Sequence, residues 1–220
     1  MQELRIGVIG TCRRGELADF AHCPERGVRI VAGADSNRDA LAAFGERLRR
    51  KFAVAEGTVR FYADYRDLLA DSGVDAVFVT APDYLHEEMA VAALHAGKAV
   101  YLEKPMALTI EGCDNILRAA RDRRAKLYLG HNMRYFPVVR KMKELIDAGA
   151  IGEVQAVWCR HFINYGGDSY FKDWHSERRY SNGLLLQKGA HDIDVIHYLC
   201  GGTARRVVGI NKETKNTIRQ

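Results

Sequence analysis

The chain has 220 residues, 47% of them hydrophobic, enough for one ordinary core and the start of a second. Its 33 Lys and Arg against 28 Asp and Glu give a formal charge of +5, but clusters such as Arg47, Arg49, Arg50 and Lys51 fall on helical stretches as solvated faces, which argues against a nucleic-acid partner. Five cysteines, odd in number and without CxxC spacing, read as reduced thiols, and the chain enters a strand directly after Met1 with no apolar run of about 18 residues, so a cytoplasmic protein with no leader and no membrane partner is expected.

Apolar, β-branched runs alternate with helical patterns through the first 130 residues, the signature of a parallel sheet built from βαβ units. Strands are predicted at 4–9, 28–34, 59–62, 76–80, 99–102 and 126–129. Helices are predicted at 39–53, 65–70, 86–96, ended by Gly97, and 110–124, opened by a Thr109 cap. After Gly130 the pattern changes to a helix at 137–147, an apolar strand at 154–162, a loop rich in Gly, Tyr, Asp and Trp, an apolar helix from about 184 to 200, and a strand at 205–210. An α+β second unit of two strands and a helix leaves a sheet edge unpaired, so it reads as incomplete, with the chain stopping early.

The first strand runs into Gly10-Thr11-Cys12-Arg13-Arg14-Gly15, with glycines at the first and third positions of the G-x-G-x-x-G fingerprint and Cys12 at the second. Gly10 permits the tight turn and Gly15 close helix packing, while the Cys12 side chain narrows the backbone's approach to a pyrophosphate. Arg13 or Arg14 adds a cationic contact to phosphate. Asp35 ends the second strand about 20 residues later, where an acid is expected for the adenosine ribose hydroxyls. An acid there repels a 2'-phosphate and favours NAD, while the nearby Arg38 leaves NADP open. Ser36 lies between the two. The fold class expected is therefore α/β, a Rossmann-type dinucleotide-binding sheet over residues 1–130 followed by the incomplete α+β domain over 131–220.

Two further segments carry a resemblance: the run from Val77 to His86, with Pro82-x-x-x-His86, and the run from Ala96 to Pro105, ending in Glu103-Lys104-Pro105. With Gly130-His131-Asn132-Met133-Arg134-Tyr135, the turn from Gly149 to Val154 and Gly189-x-His191-x-x-Asp194, nearly the whole chain resembles the Gfo/Idh/MocA family of sugar oxidoreductases. The resemblance implies that the E-K-P segment lies at the carboxyl end of a parallel strand and that Lys104 touches both the nicotinamide ribose and the substrate hydroxyl. Glu103 would orient that lysine, and Pro105 would fix its backbone, in the family often through a cis bond. Thr80, Ala81, Pro82, His86, Glu103, Asn132 and Arg134 join the cofactor-binding candidates.

On a helix of about 100° per residue, Gln187, His191, Asp194 and Tyr198 form one polar stripe among Leu184, Leu185, Val195, Ile196 and Leu199, and such a stripe is expected to face a cavity. His191 suits proton transfer near neutral pH, with Asp194 able to orient it. Many family members have an aspartate where this chain has Gln187, which cannot act as a base, so either His191 works alone or Lys188 and Asp194 share the task. The aromatic, polar loop from Asn164 to His175 is the candidate for substrate specificity, weighed equally against an ordinary packed loop. His161, His175, His191 and His197 lack metal spacing, and no metal is expected.

The leading reading is an NAD(P)-dependent oxidoreductase acting on a secondary hydroxyl of a sugar or cyclitol. The alternatives are a glycosidase working by transient oxidation on retained NAD, and a non-catalytic dinucleotide-binding protein or truncated fragment. Family members usually extend further and complete a large sheet that often makes the dimer contact, so a homo-oligomer is expected where the second domain is complete.

Overall fold

The structure, a computed structural model, describes residues 3–162 and 172–210. Leu4–Ile9 (β1), Val28–Ala34 (β2), Arg60–Tyr62 (β3), Ala76–Val79 (β4), Ala99–Leu102 (β5) and Leu127–Leu129 (β6) pair in parallel in the order β3-β2-β1-β4-β5-β6. The chain winds outward from β1 to β3, returns to the other side of β1 and winds outward again. The strand order thus reverses between β1 and β4, and ligands of open α/β sheets bind beyond the carboxyl ends of the strands at such a point.

The central strands are buried on both faces, which their near-continuous apolar sequence requires. Ile9, Val77, Val79, Val100 and Leu102 pack with Leu68, Ala90, Leu94 and Ile116 in one core cluster, and Ile6, Val8 and Ile30 with Phe44 and Leu48 in another. Each fully buried Val, Leu, Ile or Phe side chain among them contributes about 1.5–3 kcal/mol relative to exposure. The helices are Arg38–Phe52 (α1), Tyr65–Ala70 (α2), His86–His95 (α3) and Ile110–Asp122 (α4). Asn37 caps α1 by accepting from the amides of Asp39 and Ala40, Asp64 caps α2 through the Arg66 amide, and Thr109 caps α4 through the Gly112 amide. The buried Lys98 donates from Nζ to the carbonyls of Asp71 and Val74 (2.8 and 2.7 Å), covering polar backbone just beyond α2.

The helix expected after the glycine turn is a 3-10 helix, Arg13–Ala21. The Gly15 amide bonds back three residues to the Cys12 carbonyl at 2.6 Å, and the buried Gly15 and Ala18 are themselves three apart, a spacing that eclipses on a three-residue turn. Asp19, also buried, anchors the segment to α1 through Arg47 (3.2 Å) and Lys51 (3.1 Å).

Contacts divide the chain into two units, Met1–Gly130 and His131–Gln220. The described part of the second contains Pro137–Asp147 (α5), Arg178–Ser181 (α6) and Ala190–Cys200 (α7), with 3-10 turns at Asn132–Tyr135 and Asp173–Ser176 and a π-helical turn at Leu185–Gly189 leading into α7. The strands expected at 154–162 and 205–210 do not form. A strand needs a neighbouring backbone to complete its ladder, and among the described residues none pairs with these; Trp158, Phe162, Val207 and Ile210 are exposed. The helix expected over 184–200 is instead the π turn followed by α7. Its polar Gln187 and His191 are buried, whereas the apolar Leu185 is 76% exposed.

Candidate functional site

In the first unit, β1, β2, β4 and β5 end side by side, and each end carries a predicted site residue. Gly10 follows β1 with φ 86°, in the left-handed region, and a Cβ there would lie 2.6 Å from the Ala81 amide nitrogen and 2.8 Å from the Thr80 carbonyl carbon. The turn after β1 therefore presses directly on the backbone after β4, and only glycine fits. A Cβ at Gly15 would lie 2.7 Å from the Gly10 carbonyl oxygen, so the third glycine closes the same turn on itself.

Asp35, after β2, reaches back to that turn. Its Oδ2 accepts from the Thr11 amide at 2.9 Å and stands 3.3 Å from the Thr11 hydroxyl, while Oδ1 accepts from the Asn37 amide at 3.0 Å. Thr11 is buried; Cys12, Arg13 and Arg14 are exposed, as are Ser36 and Arg38 at the start of α1. Although Cys12 is exposed as a residue, its sulfur is partly shielded from water, and this shielding, then the neighbouring charge of Asp35 and a hydrogen bond to it, push the thiol above its ordinary pKa.

Gly10, Asp35, Ser36, Ala81 and Pro82 line a cavity of about 320 Å³ together with Tyr65 and the apolar Leu85 and Met89. The Tyr65 hydroxyl donates to Glu88 at 2.6 Å, and burial with this bond raises its pKa to about 12. Thr80 is buried and donates its hydroxyl to the Gly10 carbonyl at 2.7 Å, so it braces the turn. His86, the first residue of α3, is 1% exposed; it stands behind the cavity wall, Nε2 2.9 Å from the Ala81 carbonyl and Nδ1 2.6 Å from the Pro105 carbonyl.

Glu103 and Lys104 follow β5 and are both buried. The Glu103 amide bonds to the Val79 carbonyl at 2.9 Å, its Oε2 accepts from the Lys104 amide at 2.8 Å, and its Oε1 lies 4.0 Å from the Arg14 guanidinium. The carboxylate thus sets the backbone of the lysine and joins the E-K-P segment to the glycine turn. The Lys104-Pro105 peptide is cis. A glycine turn after β1, a carboxylate after β2 and a buried lysine after β5, gathered at the carboxyl ends of the strands, suit a dinucleotide.

In the second unit Arg134 grips Asp194 in a two-pronged pair, Nε to Oδ2 at 2.8 Å and Nη2 to Oδ1 at 2.5 Å, with its guanidinium 5.1 Å from the Tyr198 ring centre. His131 stands 3.7 Å from Asp194 and 6.3 Å, ring to ring, from the buried His191. Gln187 Nε2 is 3.0 Å from His175 Nδ1, and the half-buried Lys188 lies on the π turn. Asn132 begins the 3-10 turn that carries Arg134. His131 escaped the sequence reading as a site residue because its neighbours lie about 60 positions on, beyond any local periodicity. The signal was present in its place beside Asn132 and Arg134. Of the expected specificity loop, 164–171 lie outside the described residues. Among the described residues no three His, Cys, Asp or Glu side chains gather as a metal site, and no helix is long and apolar enough to cross a membrane.

The model of an oxidoreductase family with an NAD-binding Rossmann fold matches residues 4–131, and that of the GFO/IDH/MocA C-terminal domain matches residues 139–217. The chain belongs to the Gfo/Idh/MocA family. Among similar Gfo/Idh/MocA proteins, inositol 2-dehydrogenase 1 of Saccharopolyspora erythraea is 39% identical over 163 residues, covering 72% of this chain and 45% of its own. The inositol 2-dehydrogenase/D-chiro-inositol 3-dehydrogenase of Halalkalibacterium halodurans is 34% identical over 218 residues, 98% of this chain and 58% of its own. The crystal structure of apo scyllo-inositol dehydrogenase from Lactobacillus casei superposes with a TM-score of 0.72 at 26% identity, over 91% of this chain and 56% of that one. The chain thus spans about half the length of the curated Gfo/Idh/MocA relatives it matches.

Proposed function

We propose that this chain carries the nucleotide-binding part of an NAD-dependent oxidoreductase that moves a hydride between the nicotinamide and a secondary hydroxyl of a cyclitol or related sugar. The observation that carries the reading is the gathering of the Gly10 turn, Asp35 and Lys104 at adjacent strand ends on the two sides of the strand-order reversal. The similarity to inositol dehydrogenases supports the substrate class.

The dinucleotide, when bound, supplies the acceptor for the hydride. The turn from Gly10 to Gly15 would hold its pyrophosphate, with Arg13 or Arg14 assisting. Asp35 would take the adenosine ribose hydroxyls, and its charge would oppose the 2'-phosphate of NADP. In the oxidation the carbon-bound hydrogen leaves with its electron pair, the hydroxyl proton leaves separately, and a ketone results. The Lys104 ammonium stabilises negative charge growing on the substrate oxygen. His191 is proposed as proton acceptor, and Arg134, by holding Asp194, orders the polar stripe to which His191 belongs. Gln187 supplies a hydrogen-bonding amide where a base is common in the family. The polar loop around His175 is proposed to set substrate choice, and a homo-oligomer remains part of the same reading.

The test is a panel of inositols and sugars assayed with NAD and with NADP by nicotinamide absorbance, on the wild type and Lys104→Ala. The expected result is reduction of NAD in preference to NADP with a cyclitol, and a fall in kcat of about 10²–10³-fold in the variant. Undiminished turnover in Lys104→Ala would remove the lysine from the chemistry.

A further inference from the structure

The His86 ring is buried to 1% exposure, and each of its nitrogens faces a backbone carbonyl: Nε2 meets Ala81 at 2.9 Å and Nδ1 meets Pro105 at 2.6 Å. A carbonyl oxygen only accepts, so a ring nitrogen that bonds one does so through its N–H; a neutral ring offers that donor to one carbonyl at a time and a protonated ring to both. Both partners occupy consequential places. Ala81 lines the cavity and supplies the backbone against which Gly10 is pressed, while Pro105 is bonded to Lys104. Without the ring, two carbonyls from different loops, that of Pro105 buried and that of Ala81 part-buried, would each lose a partner.

We propose that His86 is a positioning residue that fixes, through one rigid ring, the wall of the nucleotide cavity and the backbone of Lys104 together. This rests on the dinucleotide reading of that cavity and on the role of Lys104. The ring is not among the side chains that line the cavity. Its contribution is to make the two loops one rigid body, so that a nucleotide seated against Ala81 and Pro82 is automatically in register with the lysine. The backbone ties on either side agree with this, since the Thr80 amide bonds to the Ile9 carbonyl and the Glu103 amide to the Val79 carbonyl, each at 2.9 Å. Those bonds hold the strand ends, while His86 spans the loops beyond them.

The two bonds can be removed separately. Asn at position 86 places an amide donor where Nδ1 stood, and Gln places one where Nε2 stood. The expected outcome, with NAD and myo-inositol as probes, is a split. His86→Asn keeps the Pro105 bond, so kcat stays near wild type while the KM for NAD rises about tenfold. His86→Gln keeps the Ala81 bond, so the KM for NAD is retained while kcat falls roughly tenfold to a hundredfold, the scale of a misplaced catalytic group. A core-filling role would lower stability in both variants and leave this split absent, which would overturn the proposal. Nitrogen-15 spectra of the histidine-labelled wild type give a readout independent of activity. A ring N–H of His86 protected from exchange with solvent is expected; a ring N–H that exchanges freely would contradict the clamp. Should the wild type bind no dinucleotide at all, the functional reading falls, and the ring spectrum still decides whether the clamp exists.

Discussion

Cys12 stands at the middle position of the glycine turn and changes what that turn presents. Its backbone is extended, with φ −62° and ψ −172°, so the position does not itself demand glycine, and the exposed side chain lies beside Asp35. Burial and the Asp35 carboxylate disfavour the thiolate, which is the form that reacts with alkylating agents. Replacing Asp35 by Asn removes a charge that raises the thiol pKa. Alkylation of Cys12 near neutral pH, followed by peptide mass spectrometry, is therefore expected to speed up. An unchanged or slower rate would show that Asp35 does not act on the thiol. At this scale the sequence was legible where roles are local: Gly10, Asp35 and Glu103-Lys104 all stand at strand ends. It was silent on His86 as a two-sided clamp and on His131 beside Asp194, because both depend on partners brought together by the fold.

The strands and helices of the first unit follow from patterns within a few residues, and for that reason they were readable. Asn37, Asp64 and Thr109 each satisfy amides two or three positions away, and the apolar strands can be nothing but central in a parallel sheet. The tightening of the segment after the glycine turn and the π turn before α7 were not legible, since both are choices among helices of similar pattern. The absent strands at 154–162 and 205–210 show the limit most plainly, because alternation marks a segment fit for a sheet without supplying its partner. One element-scale contact can be tested by pH. Arg5, on β1, donates to both carboxylate oxygens of Asp75, which immediately precedes β4, at 2.8–2.9 Å. The Arg5 hydrogen bonds, side-chain first, hold Asp75 below its ordinary pKa. A carboxylate with a depressed folded-state pKa stabilises the fold above its unfolded pKa and loses that contribution as pH falls through the folded one. Both side chains are about a third exposed, so solvent limits the effect. Asp75→Asn is expected to cost about 1 kcal/mol or less in urea unfolding at neutral pH. The difference should close as the solution is taken below the ordinary carboxylate range. A gap that stays constant into acid would mean that the pair contributes through shape rather than charge.

For the molecule as a whole, the strand order places the opening between β1 and β4, and the sequence places a glycine turn, a carboxylate and a lysine around it. The second unit adds the Arg134–Asp194 pair and the buried His191 on a helix preceded by a π turn, a rare distortion often found at functional sites. The proposed function depends first on the binding of a dinucleotide at the Gly10 turn. Calorimetric titration of NAD into the wild type and into Gly10→Ala tests it most directly, with circular dichroism to follow the sheet. The added methyl would sit 2.6 Å from the Ala81 nitrogen at a φ of 86°, a strain of about 1–3 kcal/mol concentrated at the cradle. Saturable binding to the wild type, weakened at least tenfold in a Gly10→Ala protein that keeps its secondary structure, is the predicted result; no binding to the wild type, or equal binding to both, would contradict it.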